Sequence, residues 1–354
     1  MKIQLKDIVT PLLAWYDKHA RKLPWRDDPA PYRVWVSEIM LQQTRVEAVK
    51  PYFDRFLREL PDIHALANAP EEQLLKLWEG LGYYNRAHNL QKAAIVLEEQ
   101  YGGALPASYE ALCTLPGIGG YTAGAIASIA FGLPHPAVDG NVLRVLSRIW
   151  ADASDILQAS VKKAAERALA GIIPQGRAGD FTQAMMELGA LVCLPGSSPR
   201  CGECPLNGLC AARQYGIQGE LPVKKPKQKR RGEKRTVFVV TDGRRLLLSK
   251  REQKGLLAGL WELPSVRGHC GQEEARAWLK ERSMAAQSVT ELGQAKHVFT
   301  HVEWLMRGYL IHVETAKQWD GAVWASREQI TAEYAIPSAF STYLKYFMDG
   351  YPHG

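Results

Sequence analysis

Between Lys224 and Arg235 the chain carries eight basic residues and a single acid, Glu233, and its texture differs on the two sides of that run. Before it, apolar residues recur at helical spacing; beyond it, they alternate and gather in short β-rich stretches. One hydrophobic core seldom serves a chain of 354 residues. The break therefore predicts two domains: residues 1–222, a basic linker 223–235, and residues 236–350. The run also accounts for the whole formal charge of +7, so the rest of the chain is balanced. Global basicity says little about nucleic acid, and the run reads equally as a solvated tether or as an arm on phosphates. No uninterrupted apolar stretch reaches membrane-span length, and the N-terminus has no apolar signal core. Six cysteines, four of them clustered, do not make a secreted disulfide framework. The expectation is a globular cytoplasmic protein that does not engage a membrane.

Residues 33–56 give a helical pattern through Trp35, Ile39, Val46 and Val49, with Pro51 as the expected interruption. Further helical patterns cover 71–79, 86–101, 109–115, 122–131, 141–151 and 159–173. Ser108 is placed to cap one of them, with Glu110 in its first turn. Past the basic run, 236–240 and 246–249 flank Asp242-Gly243, a hairpin signal. Residues 297–303 and 309–313 also read as strands, and 272–282 and 338–348 as helices. The fold class is a mainly α N-terminal region followed by an α+β domain.

Three features carry chemistry. Leu115-Pro116-Gly117-Ile118-Gly119-Gly120-Tyr121 is a glycine turn between helical segments. Gly117 and Gly119 would leave the amides of the next helix facing outward, where an unpaired helix end takes up an anion such as a DNA phosphate without reading sequence. An ordinary helix corner explains the turn equally well. Two carboxyls sit in contrasting settings. Asp139, in Val138-Asp139-Gly140-Asn141, precedes an apolar helical run, where backbone N–H groups favour the anion. Glu38 lies mid-helix among Trp35, Ile39, Met40 and Leu41, which favours the protonated form, and shares a face with Leu41, Gln42 and Arg45. Carboxyls pushed apart in this way hold an acid and an anion at one pH, and cleavage of a glycosidic bond uses both. Taken singly, a helix cap and a solvent-facing residue remain open. Cys193, Cys201, Cys204 and Cys210 are separated by seven, two and five residues. They suit zinc or an iron–sulfur cluster, though zinc sites usually use two tight pairs and only Cys201/Cys204 is one.

These residues resemble the helix-hairpin-helix DNA glycosylase superfamily, which includes endonuclease III, and within it the adenine DNA glycosylases of the MutY type. Further hallmarks stand at Leu23-Pro24-Trp25-Arg26, at Trp35 to Thr44, and at Gly80-Leu81-Gly82-Tyr83-Tyr84. The resemblance extends over nearly the whole chain, including a Nudix-like C-terminal domain. It implies two helical subdomains with the active site in the cleft between them and a [4Fe-4S] cluster in the loop 193–210. It implies excision of adenine paired with 8-oxoguanine or guanine from duplex DNA, with adenine extruded from the stack. Glu38 would protonate adenine at N7, Asp139 would stabilise the sugar cation or attack it, and Asn141 would position the Asp139 region. Arg26, Leu41 and Gln183 would line the adenine pocket, and Gln42 and Tyr83 would wedge into the duplex. Bifunctional relatives place a lysine just after the glycine turn; Tyr121 stands there in this chain and cannot form a Schiff base. That implies a monofunctional enzyme that leaves an abasic site; the expected oligomeric state is a monomer.

The C-terminal stretch lacks the arginine–glutamate–glutamate cluster that holds magnesium in Nudix hydrolases. Its family role would be reading 8-oxoguanine through Phe299-Thr300-His301, where the family has Phe-Ser-His. The spacing from Cys193 to Cys201 is one residue longer than usual, within a loop able to absorb it. The competing readings are a bifunctional glycosylase/lyase, a non-catalytic iron–sulfur DNA-binding or redox-sensing protein, and a nucleotide pyrophosphatase.

Overall fold

The computed structural model describes residues 4–225, 230–317 and 319–350. The helices, in chain order, are α1 (Val9–His19), α2 (Pro24–Asp27), α3 (Pro31–Leu41), α4 (Val46–Glu59), α5 (Ile63–Asn68), α6 (Glu71–Trp78), α7 (Asn85–Tyr101), α8 (Tyr109–Thr114), α9 (Gly120–Ile129), α10 (Gly140–Trp150), α11 (Ala159–Ala170), α12 (Ala178–Leu191) and α13 (Ala211–Gln214). Then follow β1 (Arg231–Thr241), β2 (Leu246–Lys250), β3 (Trp261–Glu262), β4 (Ser265–Arg267), α14 (Gln272–Lys280), β5 (Ala286–Val298), β6 (Val302–Val313), β7 (Ala322–Ala325), α15 (Arg327–Ala332) and α16 (Ser341–Met348). None of the described helices is long and apolar enough to cross a membrane.

The chain divides into two compact units, Met1–Asn68 with His88–Pro226, and Ala69–Ala87 with Lys227–Gly354. The division does not follow the basic run alone, because a segment of the helical half groups with the sheet. Nor is the run all linker: β1 begins at Arg231. Residues 226–229 of the expected linker lie outside the described residues.

In the first unit, local chemistry sets the helix ends. Ser108 Oγ accepts from Ala111 N at 3.2 Å and Asp139 Oδ1 from Val142 N at 2.8 Å, so each caps the helix that follows. The expected helix over 33–56 is two helices. Gln43 takes a left-handed φ of 58° and breaks the run at 42–45, while Pro51 stays inside α4. A proline removes only one backbone bond, whereas a left-handed residue ends the helical path. One consequence is that Gln42 and Arg45 do not continue the helical face of Glu38. The core packs Leu12 and Trp15 of α1 against Val142, Leu146 and Ile149 of α10 and Phe181, Met185 and Leu188 of α12. Cys193, Cys204 and Leu209 of the cysteine loop rest on that same cluster.

The second unit contains a seven-stranded mixed sheet of order β3-β2-β1-β6-β5, with β4 added on β1 and β7 on β2. β1 and β6 run parallel, from Arg231↔Val302 to Thr241↔His312, and the other pairs are antiparallel. Alternation along β1 feeds both faces. Val237 and Val239 pack with Phe340, Tyr343 and Phe347, while Phe238 and Val240 pack with Ala275 and Leu279 of α14. Helix α16 crosses β6 closely: a Cβ on Gly308 would stand 2.3 Å from Tyr343 Cε1. The expected strand over 297–303 covers the end of β5, a tip at 299–301 and the start of β6, and the tip is closed by Phe299 N donating to Val302 O at 2.8 Å. Three consecutive residues at the tip break the alternation, and a short apolar run does not reveal such a turn.

Candidate active site

Seven consecutive residues of α3, from Val34 to Met40, are buried, and Glu38 is the one acid among them. Its carboxyl is 6% exposed as a residue and faces a cavity of about 190 Å³ in the first unit. Removal from water pushes it up to about 7; the nearby Asp139 carboxylate adds to this, while a hydrogen bond from Tyr121 and the charge of Arg26 oppose it. Tyr121, in the first turn of α9, donates its hydroxyl to Glu38 Oε2 at 2.8 Å and lies 3.7 Å from Met186 Sδ. Burial, then the charges of Glu38 and Asp139, raise the Tyr121 phenol well above its ordinary value, so it remains a donor.

Asp139 reaches the cavity from another wall. Its Oδ1 is held by the Val142 amide and its Oδ2 accepts from Asn141 Nδ2 at 2.7 Å. Asn141 is fixed in turn. Its Oδ1 accepts from Arg144 Nη2 at 2.8 Å, and Arg144 also donates to Gly189 O and Cys193 O, each at 2.8 Å. Arg26 of α2, Leu41 of α3 and Gln183 of α12 line the same cavity. Seven residues singled out from sequence, 26, 38, 41, 121, 139, 141 and 183, therefore meet around one space. Gln42 is not among its lining residues; it donates to Thr122 Oγ1 at 3.3 Å, just past the end of α3.

Sequence reasoning missed Glu187, Arg21 and Met186, which also line the wall. Glu187 accepts from Arg21 Nη2 at 2.5 Å and from Arg26 Nη2 at 3.0 Å. Burial alone would raise the Glu187 carboxyl, but these two arginines outweigh it and hold it below its ordinary value. Its signal was close to that of Glu38, an acid within the apolar stretch Ala184–Leu191 of α12, where Asp180 is the other acid. Arg26 keeps Nε buried with no hydrogen-bond partner among the described residues.

Of the glycine turn, only Gly117 is left-handed, with φ 75°, and a Cβ there would stand 2.7 Å from Asn89 Cβ. Gly119 corrects the expectation: it is the extended N-cap of α9, a backbone shape open to any residue, with free space where a Cβ would go. No side chain caps that helix.

Cys193, Cys201, Cys204 and Cys210 line a second, smaller cavity with Arg148, Arg200 and Arg213. Buried Arg148 donates to Cys193 Sγ at 3.3 Å, and backbone amides point at Cys204 (from Leu206) and Cys210 (from Arg213 and Ala212). Among the described residues no three His, Cys, Asp or Glu side chains converge tightly enough for a lone metal ion. The donors at the sulfurs, Arg148 and the backbone amides, suit thiolates, which zinc and an iron–sulfur cluster both require.

In the second unit, Tyr83 is 49% exposed with a left-handed φ of 49°. At the hairpin tip, Phe299 stacks edge-on against Trp304 at 4.8 Å and His297 at 4.6 Å, leaving Thr300 and His301 exposed. Glu274, in the stretch expected as a helix start, accepts from Gly271 N at 2.7 Å at the start of α14.

Comparison with known proteins gives the same picture. Residues 36–174 match the family described as HhH-GPD superfamily base excision DNA repair protein, residues 196–210 the iron–sulfur binding domain of endonuclease III, and residues 236–346 the NUDIX domain. The adenine DNA glycosylase of Rattus norvegicus is 37% identical over 90% of this chain and 73% of its own length. A thermostable thymine-DNA glycosylase superposes with TM-score 0.54 at 29% identity, over 59% of this chain and 96% of that one. A trapped endonuclease III–DNA covalent intermediate superposes with TM-score 0.52 at 27% identity, over 61% and 99%. The chain belongs to the adenine DNA glycosylase family.

Proposed function

We propose that this protein hydrolyses the N-glycosidic bond of adenine in duplex DNA, where adenine stands opposite 8-oxoguanine or guanine, and leaves an abasic site. The observation that carries this reading is the single cavity lined by a buried, Tyr121-bonded Glu38 and the helix-capping Asp139. At about 190 Å³ it is smaller than the roughly 300–1,000 Å³ of drug-sized pockets and suits one extruded base.

Glu38, protonated up to about pH 7, delivers its proton to N7 of adenine. As the bond from N9 to C1′ breaks, positive charge develops on the sugar. Asp139 opposes that charge, held in place by Val142 N and Asn141. Water then supplies the hydroxyl at C1′, and its proton restores the acid. Arg26, Leu41 and Gln183 form the base-binding wall, and Arg26 Nε, buried without a partner among the described residues, is a donor available to the base. The lining includes no lysine, and a phenol at 121 forms no Schiff base, which supports the monofunctional reaction.

The N-terminus of α9 after Gly117 and Gly119, which no side chain caps, grips a phosphate. Gln42 and Tyr83 wedge the duplex, and Phe299, Thr300 and His301 read the base opposite adenine. Cys193, Cys201, Cys204 and Cys210 hold a [4Fe-4S] cluster, which when bound ties the 193–210 loop together as a multivalent crosslink. The enzyme works as a monomer in a reducing cytoplasm, where clustered thiols persist.

A cleavage assay on duplexes with adenine opposite each normal base and 8-oxoguanine tests substrate and reaction together. Strand breaks only after alkali, and only with guanine or 8-oxoguanine opposite, are expected. Breaks without alkali, trapped covalently by borohydride, would establish the bifunctional reading instead.

A further inference from the structure

The turn after α6 is built with unusual definition. Gly80, Gly82 and Tyr83 take φ values of 96°, 69° and 49°. A tyrosine in the left-handed region is strained, and it persists only where its surroundings over-determine it. From within, Trp78 Nε1 donates to Gly82 O at 3.2 Å, and Arg86 Nη2 donates to Leu81 O and Gly82 O, both at 3.0 Å. The Arg86 guanidinium also lies over the rings of Trp78 and Tyr83, at 5.3 and 5.7 Å.

A second set of bonds comes from the opposite end of the sequence. Lys76 Nζ donates to Glu79 Oε2 at 2.6 Å, to Ile330 O at 3.0 Å and to Tyr334 O at 3.1 Å. Glu79 Oε1 accepts from Ile336 N at 2.8 Å. Lys250 pairs with Glu72 at 2.8 Å at the other end of α6. The segment receiving these bonds is no free loop. Ile330 and Ile336 belong to the core beneath the sheet, Ala335 O accepts from Trp261 N, and Tyr334 packs edge-on against Trp261.

We propose that Lys76 and Glu79 are positioning residues, which make the Nudix-like sheet the support on which the 80–84 turn presents Tyr83 to DNA. This rests on the reading of Tyr83 as the wedge. Its consequence is that the wedge and the 299–301 tip belong to one structural unit, so the sheet domain would govern how the duplex is opened as well as which base is read.

The test uses the full chain, Glu79→Ala, Lys76→Met and Tyr83→Ala singly and each clasp variant with Tyr83→Ala. The readout is the dissociation constant for a duplex with a non-hydrolysable adenosine analogue opposite 8-oxoguanine, beside that for an undamaged duplex. Each clasp variant should weaken lesion binding about tenfold, the factor carried by one charge-assisted hydrogen bond, and leave undamaged binding unchanged. In the Tyr83→Ala background the same changes should add less than about twofold. Lys76→Met leaves the Ile336–Glu79 bond in place, so it reports even if Glu79→Ala melts α6. Equal losses in both backgrounds, or equal losses on both duplexes, would overturn the clasp while sparing the wedge. No effect of Tyr83→Ala by itself would overturn the wedge reading and the clasp with it.

Discussion

Replacing Glu38 by glutamine separates catalysis from stability. Folding moves this carboxyl from 4.5 to about 7. Between those values the unfolded chain ionises while the folded one keeps its proton. The group's contribution is therefore whole below pH 4.5 and is lost as pH rises through 7. Each pH unit removes about 1.4 kcal/mol, so stability at pH 8 is about 3 kcal/mol lower than if the side chain stayed neutral. Glutamine stays neutral, keeps the shape, and can still accept from Tyr121. Glu38→Gln should thus gain about 2–3 kcal/mol over the parent on moving from pH 5 to pH 8, while single-turnover excision drops by about 10²–10⁴-fold for loss of a general acid. Paired melting curves at the two pH values should show the variant's offset widening by about 5–10 °C in its favour. An offset that does not change with pH would mean that Glu38 is not held protonated, and full activity in the variant would refute its role as the acid.

Other perturbations probe the surrounding parts. Tyr121→Phe removes a bond that favours the Glu38 anion, so the alkaline limb of the pH–rate profile should move up by about one pH unit; a limb that stays or moves down would exclude the bond as the tuning contact. Arg144→Met leaves Asn141 Oδ1, Gly189 O and Cys193 O without their donor, and should cost about 3 kcal/mol in thermal unfolding and slow excision. Cys201→Ser should lower bound iron and sulfide in analysis of the purified protein, and equimolar zinc in the parent would instead point to a single-ion site. Gly308→Ala forces a methyl into the buried Tyr343 ring and should cost the sheet unit about 1–3 kcal/mol, read as a lower melting transition.

Much of the site was legible because its signals are local. An acid within an apolar helix, a carboxylate before an apolar run and a glycine turn each report their own surroundings, and 38, 121 and 139 do meet. The Arg21–Glu187–Arg26 cluster spans more than 160 residues of chain, so spacing gave no reason to pair its members. Arg144 and Arg148 carry no local sign of burial on α10, yet both are buried and donate to carbonyls of the cysteine loop, Cys193 O and Leu194 O. Helix limits were read well where a capping side chain marked them, as at Ser108 and Asp139. They were misread at 42–45, where the breaker is a glutamine in a left-handed conformation rather than the visible Pro51. The membership of Ala69–Ala87 in the second unit depends on Lys76 and Glu79 meeting residues 330–336, and no local pattern announces such contacts.

The most direct measurement is the single-turnover rate of adenine excision from an adenine–8-oxoguanine duplex as a function of pH. A buried acid at Glu38 predicts a rate that is level below about pH 7 and falls tenfold for each further unit. A rate that climbs through pH 7 would show that the cavity works through a base, contradicting proton delivery from residue 38.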